Sequence, residues 1–272
     1  MAFGLYTAKS GGIPKRFEIL NPFAFNVSEQ RRSSFHASYQ RGFQVNQGRV
    51  LFLGDSLLQQ YVDPIARALN LEISQIDTVT RGGCVLLRGV VFQDQFSDIS
   101  CNTLRRNIYD LDKHYDIVFL SQSWYSYGKS VSNFPQGVDS VVKWSPFLTE
   151  TINHFKSSGS RVVVIGLHPV VEGTERLQPD LLLSPQKYKA GLEKLSVSNF
   201  DEYSNDNDTF NLMLGGIAEL VSPFDLFCAD GNCVTHNGEW SFFSDSKHLS
   251  IASTDFLVGR IRKALFGGEY SK

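Results

Sequence analysis

The stretch that most constrains the fold is residues 49–64, RVLFLGDSLLQQYVDP. Its apolar run VLFL is typical of a strand buried on both faces of a sheet, and Gly54 ends that run. Asp55 and Ser56 then precede a segment whose apolar residues recur at helical spacing. Ser56 is therefore expected at a helix N-terminus, where backbone N–H groups favour developing negative charge. An ordinary helix N-cap is the alternative interpretation of the same turn.

The rest of the chain alternates between strand and helix patterns. DIVFLSQS (116–123) and RVVVIGLHP (161–169) are typical of buried strands, whereas DTFNLMLGGIAELV (208–221) and LSIASTDFLVGRIRKALFGG (249–268) are typical of helices. This alternation predicts an α/β fold of three layers, with helices on both faces of a central parallel sheet. Chemistry in such sheets gathers at the carboxyl ends of the strands. We interpret His168, which ends the second of these strands, as a structural residue.

The 272 residues predict one sizeable domain and an extension. Residues 1–48 show neither the period of about 2 residues of a strand nor the period of about 3.6 residues of a helix. They are expected to form an extended, loop-like lead-in packed on a domain at 49–272. The basic residues of the lead-in fit a solvated face, with a phosphate-bearing partner as the alternative. A net charge of −2 argues against a nucleic-acid partner. No apolar run approaches the roughly 18 residues of a membrane span, so the chain as given is expected to be soluble. No motif implies a metal ion or an organic cofactor.

Four cysteines form two groups that are local in sequence, Cys84 with Cys101 and Cys228 with Cys233. Local disulfides are the expected state, because CADGNC is rich in residues that form tight turns. Disulfides would place the chain outside the cytosol. Four buried free thiols are one alternative, and a zinc site that includes His236 is another.

A serine nucleophile needs a base, and the base needs an orienting carboxylate. FFSDSKHLSIAS (242–253) places Asp245 three residues before His248, just ahead of the last predicted helix. We expect His248 to accept the Ser56 proton and Asp245 to hold the imidazole ring. An isolated Asp-x-x-His is more simply a helix cap beside a surface histidine. Its combination with Gly-Asp-Ser after the first strand favours the catalytic interpretation.

The two motifs resemble those of the SGNH hydrolases, also called the GDSL superfamily. FLGDSLL resembles the first block of that superfamily, and DSKHLS resembles its Asp-x-x-His block. The sequence resembles, more narrowly, the extracytoplasmic SGNH domain at the C-terminus of acyltransferase family 3 membrane proteins, which O-acetylate bacterial surface polysaccharides. The segment GGIPKRF looks like that family's link from its last membrane helix. Pro64 matches the proline that follows the family's serine, and DIVFLSQSW looks like the family's strand that ends in Trp. Two more features resemble that domain: the segment GGC followed by a second cysteine, and the ending LFCADGNCVTHNGEWSFFSDSKHLSIAS. The resemblance covers about residues 10 to 268 and implies the flavodoxin-like SGNH version of the three-layer fold.

The resemblance assigns catalytic roles residue by residue. Ser56 would be the nucleophile, His248 the base and Asp245 the orienting acid. The oxyanion hole would take the backbone N–H groups of Ser56 and of Gly83, which lies in RGGC.

The family's Gly-x-Asn-Asp block, whose Asn supplies a third oxyanion donor, is absent here, and SQSWYSYG stands in its place. Ser123 or the indole N–H of Trp124 is expected to substitute, or the hole has two donors. Loss of one such donor typically costs about 10²–10³ in rate. The same segment supplies aromatic side chains that suit stacking on the substrate's sugar rings: Trp124, Tyr125 and Tyr127.

By resemblance, the expected activity is O-acyl transfer, with acetyl passed to a hydroxyl of a polysaccharide such as the lipopolysaccharide O-antigen. The partners would be that polysaccharide and the membrane acyltransferase domain of the full-length protein, which would supply the acyl group. The expected location is the periplasm, tethered to the inner membrane. A carbohydrate esterase that uses the same three residues is one alternative, and a non-catalytic glycan-binding domain is another.

Overall fold

The structure, a computed structural model, describes residues 42–45, 48–91, 98–127, 131–135, 141–177 and 185–267. The strands of these residues are β1 (Gly42–Gln44), β2 (Val50–Gly54), β3 (Ile76–Thr80), β4 (Ile117–Ser121), β5 (Arg161–Ile165), β6 (Val171–Glu172), β7 (Ser196–Val197), β8 (Glu219–Val221), β9 (Cys228–Ala229) and β10 (Asn232–Cys233). The central sheet has the order β1-β3-β2-β4-β5-β8, in which every pair is parallel except β1 with β3.

Helices cover both faces of this sheet. They are α1 (Ser56–Gln59), α2 (Val62–Leu69), α3 (Asp98–Tyr109), α4 (Ser145–Ser157), α5 (Pro185–Leu192), α6 (Phe200–Leu214), α7 (Pro223–Phe227) and α8 (Ser253–Phe266). Alternate side chains of β2 enter two separate cores: Leu51 and Leu53 pack with α3, α4 and α6, and Val50 and Phe52 with α2, α7 and α8. The predicted three-layer α/β fold is confirmed. No helix of the described residues is long and apolar enough to cross a bilayer.

β1 lies inside the segment predicted to be a loop-like lead-in. It pairs antiparallel with β3, with Gly42 opposite Thr80 and Gln44 opposite Thr78. The rest of that prediction falls largely on residues 1–41, which lie outside the described residues. At least three residues of the lead-in are therefore part of the sheet.

The helix predicted over residues 208–221 is only half right. α6 contributes its last residues, but Glu219–Val221 forms the edge strand β8 beside β5. Gly215 and Gly216 separate the two elements, and Gly216 has a φ of 82°, a conformation that favours glycine and ends the helix. Three strand residues directly after a helix are too few for a period-2 pattern to stand out in the sequence.

The helix after Ser56 is broken before its proline. α1 ends at Gln59 and α2 begins at Val62, so Pro64 lies in the first turn of α2. A first-turn N–H has no partner within its own helix, so the proline there removes no hydrogen bond. Pro64 therefore does not interrupt the hydrogen bonding of a helix, and the break between the two helices lies before it, between Gln59 and Val62.

Gly54 fits the close approach of two strands at the carboxyl edge of the sheet. A Cβ atom at this position would lie 1.8 Å from the backbone oxygen of Ser121. Gly54 and Ser121 are register partners of β2 and β4. The glycine therefore brings the turn after β2 and the turn after β4 side by side, and the candidate site is built from these two turns.

Candidate active site

Ser56 begins α1 directly at the carboxyl end of β2. Asp55 caps the helix, since its Oδ1 accepts the N–H of Leu57 at 2.8 Å. The cap interpretation of Gly-Asp-Ser is therefore correct for Asp55. It leaves the Ser56 hydroxyl free for another role, because the cap uses only the aspartate.

The structure brings Ser56 together with both residues of the Asp-x-x-His motif. Nε2 of His248 lies 3.0 Å from Oγ of Ser56, and Nδ1 of His248 lies 2.8 Å from Oδ2 of Asp245. Oδ1 of Asp245 accepts the backbone N–H groups of Lys247 and His248, each at 2.8 Å. This continuous chain of hydrogen bonds is the arrangement in which an imidazole can take a proton from a serine.

The electrostatics of Asp245 suit a group that stays ionised. Burial raises its pKa, but the hydrogen bonds from His248 and from the two backbone amides outweigh burial and hold the pKa at about 2. The carboxylate is therefore charged at neutral pH. It can orient the ring and stabilise an imidazolium.

Asp55 has a second function that sequence reasoning missed. Its Oδ2 accepts the backbone N–H of Ser123 at 2.8 Å and the hydroxyl of Tyr127 at 2.6 Å, and the carboxyl is 1% exposed. Burial raises the pKa of Asp55, and the hydrogen bonds from Tyr127, Ser123 and Leu57 oppose that shift. This carboxylate ties the turn that carries Ser56 to the turn after β4.

The turn at residues 81–84 borders Ser56. A Cβ on Gly82 would lie 3.7 Å from Cβ of Ser56, and the N–H of Cys84 donates to the carbonyl of Arg81 at 3.2 Å. Gly83 has a φ of 79° and open space where a side chain would be. The backbone of Gly83 is hydrogen-bonded to the Tyr127 hydroxyl, where it opposes the rise in the tyrosine pKa that burial causes. This turn therefore lies next to Ser56.

Trp124 does not face the site. Its ring is 2% exposed, and its indole N–H donates to the carbonyls of Ile165 and Gly166 at 3.2 and 3.1 Å. The ring packs against Trp144 and Phe210 inside the core. The expectations that Trp124 supplies an oxyanion donor or a sugar platform are therefore corrected: its donor is used, and its faces are covered.

Two other residues of the segment after β4, Tyr125 and Ser123, contact different parts of the protein. Tyr125 is partly buried, with its ring edge-on to Tyr203 at 4.8 Å between centroids. The Ser123 hydroxyl shares a hydrogen bond with that of Ser126, which in turn accepts from Nζ of Lys247 at 3.2 Å. A polar link thus runs from the residue before His248 to Ser123, the alternative third donor.

His168 lies beneath the candidate site. Its Nδ1 is 3.4 Å from Nε2 of Gln60 and 3.3 Å from the hydroxyl of Tyr61. The Gln60 amide is oriented by its oxygen, which accepts the N–H of Leu249 at 2.8 Å, so its nitrogen faces His168 as a donor. Burial, and then the nearby charge of His248, lower the pKa of His168 to about 3. The ring is therefore neutral, with its proton on Nε2, which agrees with a structural role.

The cysteines are paired locally as expected. Cys84 is bonded to Cys101 and Cys228 to Cys233, so none of the four is available to a zinc ion. The first disulfide attaches the turn at 81–84 to α3. Within the part of the chain that the structure describes, no group of three or more His, Cys, Asp and Glu side chains could hold a metal ion.

Comparisons with known proteins agree with this architecture. A family model described as "SGNH domain (fused to AT3 domains)" matches residues 29–263. The periplasmic domain of a lipopolysaccharide acetyltransferase from Salmonella ser. Paratyphi A has a similar fold, with a TM-score of 0.60 at 18% identity over 85% of this chain and 93% of that one. None of the curated proteins compared with the chain matches it.

Two further solved structures are more distant. One is a Streptococcus pneumonia protein provisionally described as a platelet activating factor, with a TM-score of 0.48 and 15% identity over 94% of this chain and 100% of that one. The other is a Bacteroides fragilis protein provisionally described as an acylhydrolase, with a TM-score of 0.37 and 14% identity over 87% of this chain and 94% of that one.

Proposed function

Because the chain belongs to the family of SGNH domains fused to AT3 domains, we propose that it transfers an acetyl group to a sugar hydroxyl of a bacterial surface polysaccharide. The observation that carries this proposal is the hydrogen-bonded chain from Ser56 through His248 to Asp245. A lipopolysaccharide acetyltransferase domain of similar fold supports lipopolysaccharide O-antigen as the acceptor class.

In the first half of the reaction, Nε2 of His248 takes the proton of the Ser56 hydroxyl while Oγ attacks the carbonyl carbon of the acyl donor. Asp245, charged at neutral pH, stabilises the imidazolium that forms. The protonated His248 then gives its proton to the departing group of the donor. The product is an ester of Ser56.

In the second half, a sugar hydroxyl replaces the donor. His248 takes the proton of that hydroxyl, and the sugar oxygen attacks the ester carbonyl on Ser56. The tetrahedral intermediate collapses with release of Oγ, which regains a proton from His248. The acetyl group is now an ester of the sugar, and the enzyme returns to its starting state.

The oxyanion of both intermediates needs hydrogen-bond donors. We assign the N–H of Ser56, at the start of α1, and the N–H of Gly83, which would exchange its bond to the Tyr127 hydroxyl for one to the oxyanion. The Ser123 hydroxyl, linked through Ser126 to Lys247, is the remaining candidate for a third donor.

The acyl donor would come from an AT3 domain of the same full-length protein, consistent with the fusion that defines the family. Two disulfides fit an oxidising compartment such as the periplasm. We therefore place the reaction at the outer face of the inner membrane, where the acyl group reaches the polysaccharide.

A carbohydrate esterase is the second candidate function. The observation that favours it is solvent access: the side chains of Asp245 and His248 are 57% and 28% exposed. Water could therefore attack the Ser56 ester by the same proton transfers. An esterase and a transferase share the first half-reaction and differ in the acceptor.

A fluorophosphonate probe, which labels activated serines, tests the nucleophile directly. We expect the chain to be labelled, Ser56→Ala to be unlabelled and His248→Ala to react at least about 10³-fold more slowly. Ser74→Ala is the matched control, because Ser74 is an exposed serine outside the candidate site. Equal labelling of Ser56→Ala and the unmodified chain would remove the basis of the proposal.

The acceptor is tested with p-nitrophenyl acetate in the presence of purified O-polysaccharide. Ser56-dependent acetyl on the glycan supports transfer. Ser56-dependent release of acetate without glycan acetylation supports the esterase. If neither Ser56→Ala nor His248→Ala changes any product, a non-catalytic glycan-binding domain is the remaining interpretation.

A further inference from the structure

A second concave site lies along α2 and at the N-terminal end of α8. Its cavity is about 570 Å³ and is lined by Asp63, Arg67, Asn237, Trp240, Ile251 and Asp255, among others. Ile251 follows His248 by three residues in the chain, and Asp63 follows Ser56 by seven, so the cavity is lined by residues that come shortly after each of the two motifs. Nothing in the proposed acyl-transfer chemistry uses these residues.

Trp240 gives the cavity a rigid, partly exposed aromatic wall. The Oδ1 of Asn237 accepts the N–H groups of Glu239 and Trp240 at 3.0 and 2.7 Å, which fixes the turn that carries the indole. The ring packs against a small core of side chains from α5 and its surroundings: Leu177, Tyr188 and Leu192. The exposed Ile251, 38% accessible, adds apolar surface. A fixed aromatic ring of this kind loses little entropy when a ligand covers it.

The charges around the cavity favour a neutral ligand that carries hydroxyl groups. Arg67 is paired with Asp255, with 2.6 Å between nitrogen and oxygen. Asp63 adds a carboxylate for which the described residues show no ion pair. The cavity thus has one cation, already paired, and two carboxylates. An anionic sugar would be repelled, whereas hydroxyl groups can donate to the carboxylates.

We propose that this cavity binds a neutral hexopyranose ring of the acceptor glycan, with the apolar face of the sugar on Trp240 and its hydroxyls toward Asp63. This inference rests on the proposed function, since only acyl transfer to a glycan would require the domain to bind an acceptor sugar. The cavity would thereby select which part of the polysaccharide reaches the nucleophile. The sugar platform expected from the aromatics after β4 is supplied instead by the turn at 237–240.

Binding is measured in the Ser56→Ala variant, so that no chemistry interferes. The probes are methyl glycosides of neutral hexoses and 6-deoxyhexoses, with methyl glucuronide as the anionic counterpart, followed by saturation-transfer NMR. We expect at least one neutral glycoside to bind, the glucuronide to bind more weakly, and Trp240→Ala to weaken the neutral sugar at least tenfold. Asp63→Ala, which leaves the aromatic wall intact, is expected to weaken it several-fold. Leu212→Ala is the matched control, because Leu212 is an 82% exposed apolar residue on α6.

Tryptophan fluorescence provides a second readout. The chain has three tryptophans, of which Trp124 and Trp144 are 2% and 0% exposed. Acrylamide quenching therefore reports mainly on Trp240, and a bound sugar should reduce it. Trp240→Phe should abolish this signal but retain most of the affinity seen by NMR.

Three results would overturn the inference: no neutral glycoside shows saturation transfer, the affinity survives both Trp240→Ala and Asp63→Ala, or the glucuronide binds best. Its failure and that of acyl transfer are distinguishable. Sugar binding with no fluorophosphonate labelling of Ser56 refutes the chemistry alone. Labelling of Ser56 without Trp240-dependent binding refutes the subsite alone.

Discussion

The buried, neutral His168 should make the folded state sensitive to mild acid. Its folded-state pKa of about 3 is well below the ordinary value of 6.5. Between these two values the unfolded chain binds a proton that the folded chain does not, so the free energy of unfolding falls as the pH falls. From the two pKa values, the loss between pH 7 and pH 5 is about 2 kcal/mol.

His168→Gln isolates this contribution from all other titrating groups. Gln does not titrate, and any cavity that it leaves costs the same free energy at both pH values. Urea unfolding of both proteins at pH 7, 6 and 5 should show that the unmodified chain loses about 2 kcal/mol more than the variant.

The geometry also predicts which nitrogen carries the proton. Nδ1 faces the donors of Gln60 and Tyr61, so nitrogen NMR should show the Nε2–H tautomer. Parallel pH profiles of the two proteins, or an imidazole that titrates near 6.5, would refute the reasoning. A neutral His168 also keeps a second positive charge away from His248, whose protonated form the proposed mechanism requires.

Three further perturbations test the elements around Ser56. Gly54→Ala should lower the free energy of unfolding by at least about 3 kcal/mol in chemical denaturation, because the new Cβ meets a β4 carbonyl at 1.8 Å. Gly259→Ala, in open space on α8, should not destabilise the chain, and equal effects would contradict this account. Tyr127→Phe removes a hydrogen bond to the buried Asp55 carboxylate and should cost about 1.5–3 kcal/mol in the same assay, whereas an unchanged stability would count against that link. Asp245→Asn should slow fluorophosphonate labelling about 10²–10⁴-fold without changing the fold by circular dichroism, and full reactivity would show that the carboxylate is dispensable.

Short apolar runs in the sequence were enough to predict the strands of the parallel sheet. A parallel strand buried on both faces reads as a short apolar run, and β2, β4 and β5 each have this signal. Ser56 follows from the rule that the carboxyl ends of parallel strands meet at one edge. The Asp-x-x-His motif follows from the need of a serine nucleophile for a base and an orienting carboxylate, and from the resemblance to the SGNH hydrolases. Both motifs were predicted to meet, and the structure places them 3.0 Å apart across 192 residues of sequence.

The aromatic residues after β4 show where sequence reasoning fails. Trp124 and Tyr127 were expected to face sugar, but one donates to carbonyls of the core and the other to the Asp55 carboxylate. An aromatic residue at the end of a strand can turn into the core or out to solvent, and the choice depends on distant neighbours such as Phe210. The spacing of apolar residues near Trp124 in the sequence does not show which of these two directions the side chain takes.

The sequence by itself determined the α/β class, favoured local disulfides over free thiols or a zinc site, and indicated the candidate nucleophile, base and acid through their motifs and the resemblance to the SGNH hydrolases. These features depend on apolar periodicity, turn-forming residues and residue chemistry, all of which act over a few neighbouring positions. Tertiary structure alone decided that Asp55 links two turns, that His168 is held neutral and that Trp240 lines a cavity. These features depend on burial and on contacts between residues that are tens of positions apart, because desolvation and packing act through space and leave no local period in the chain.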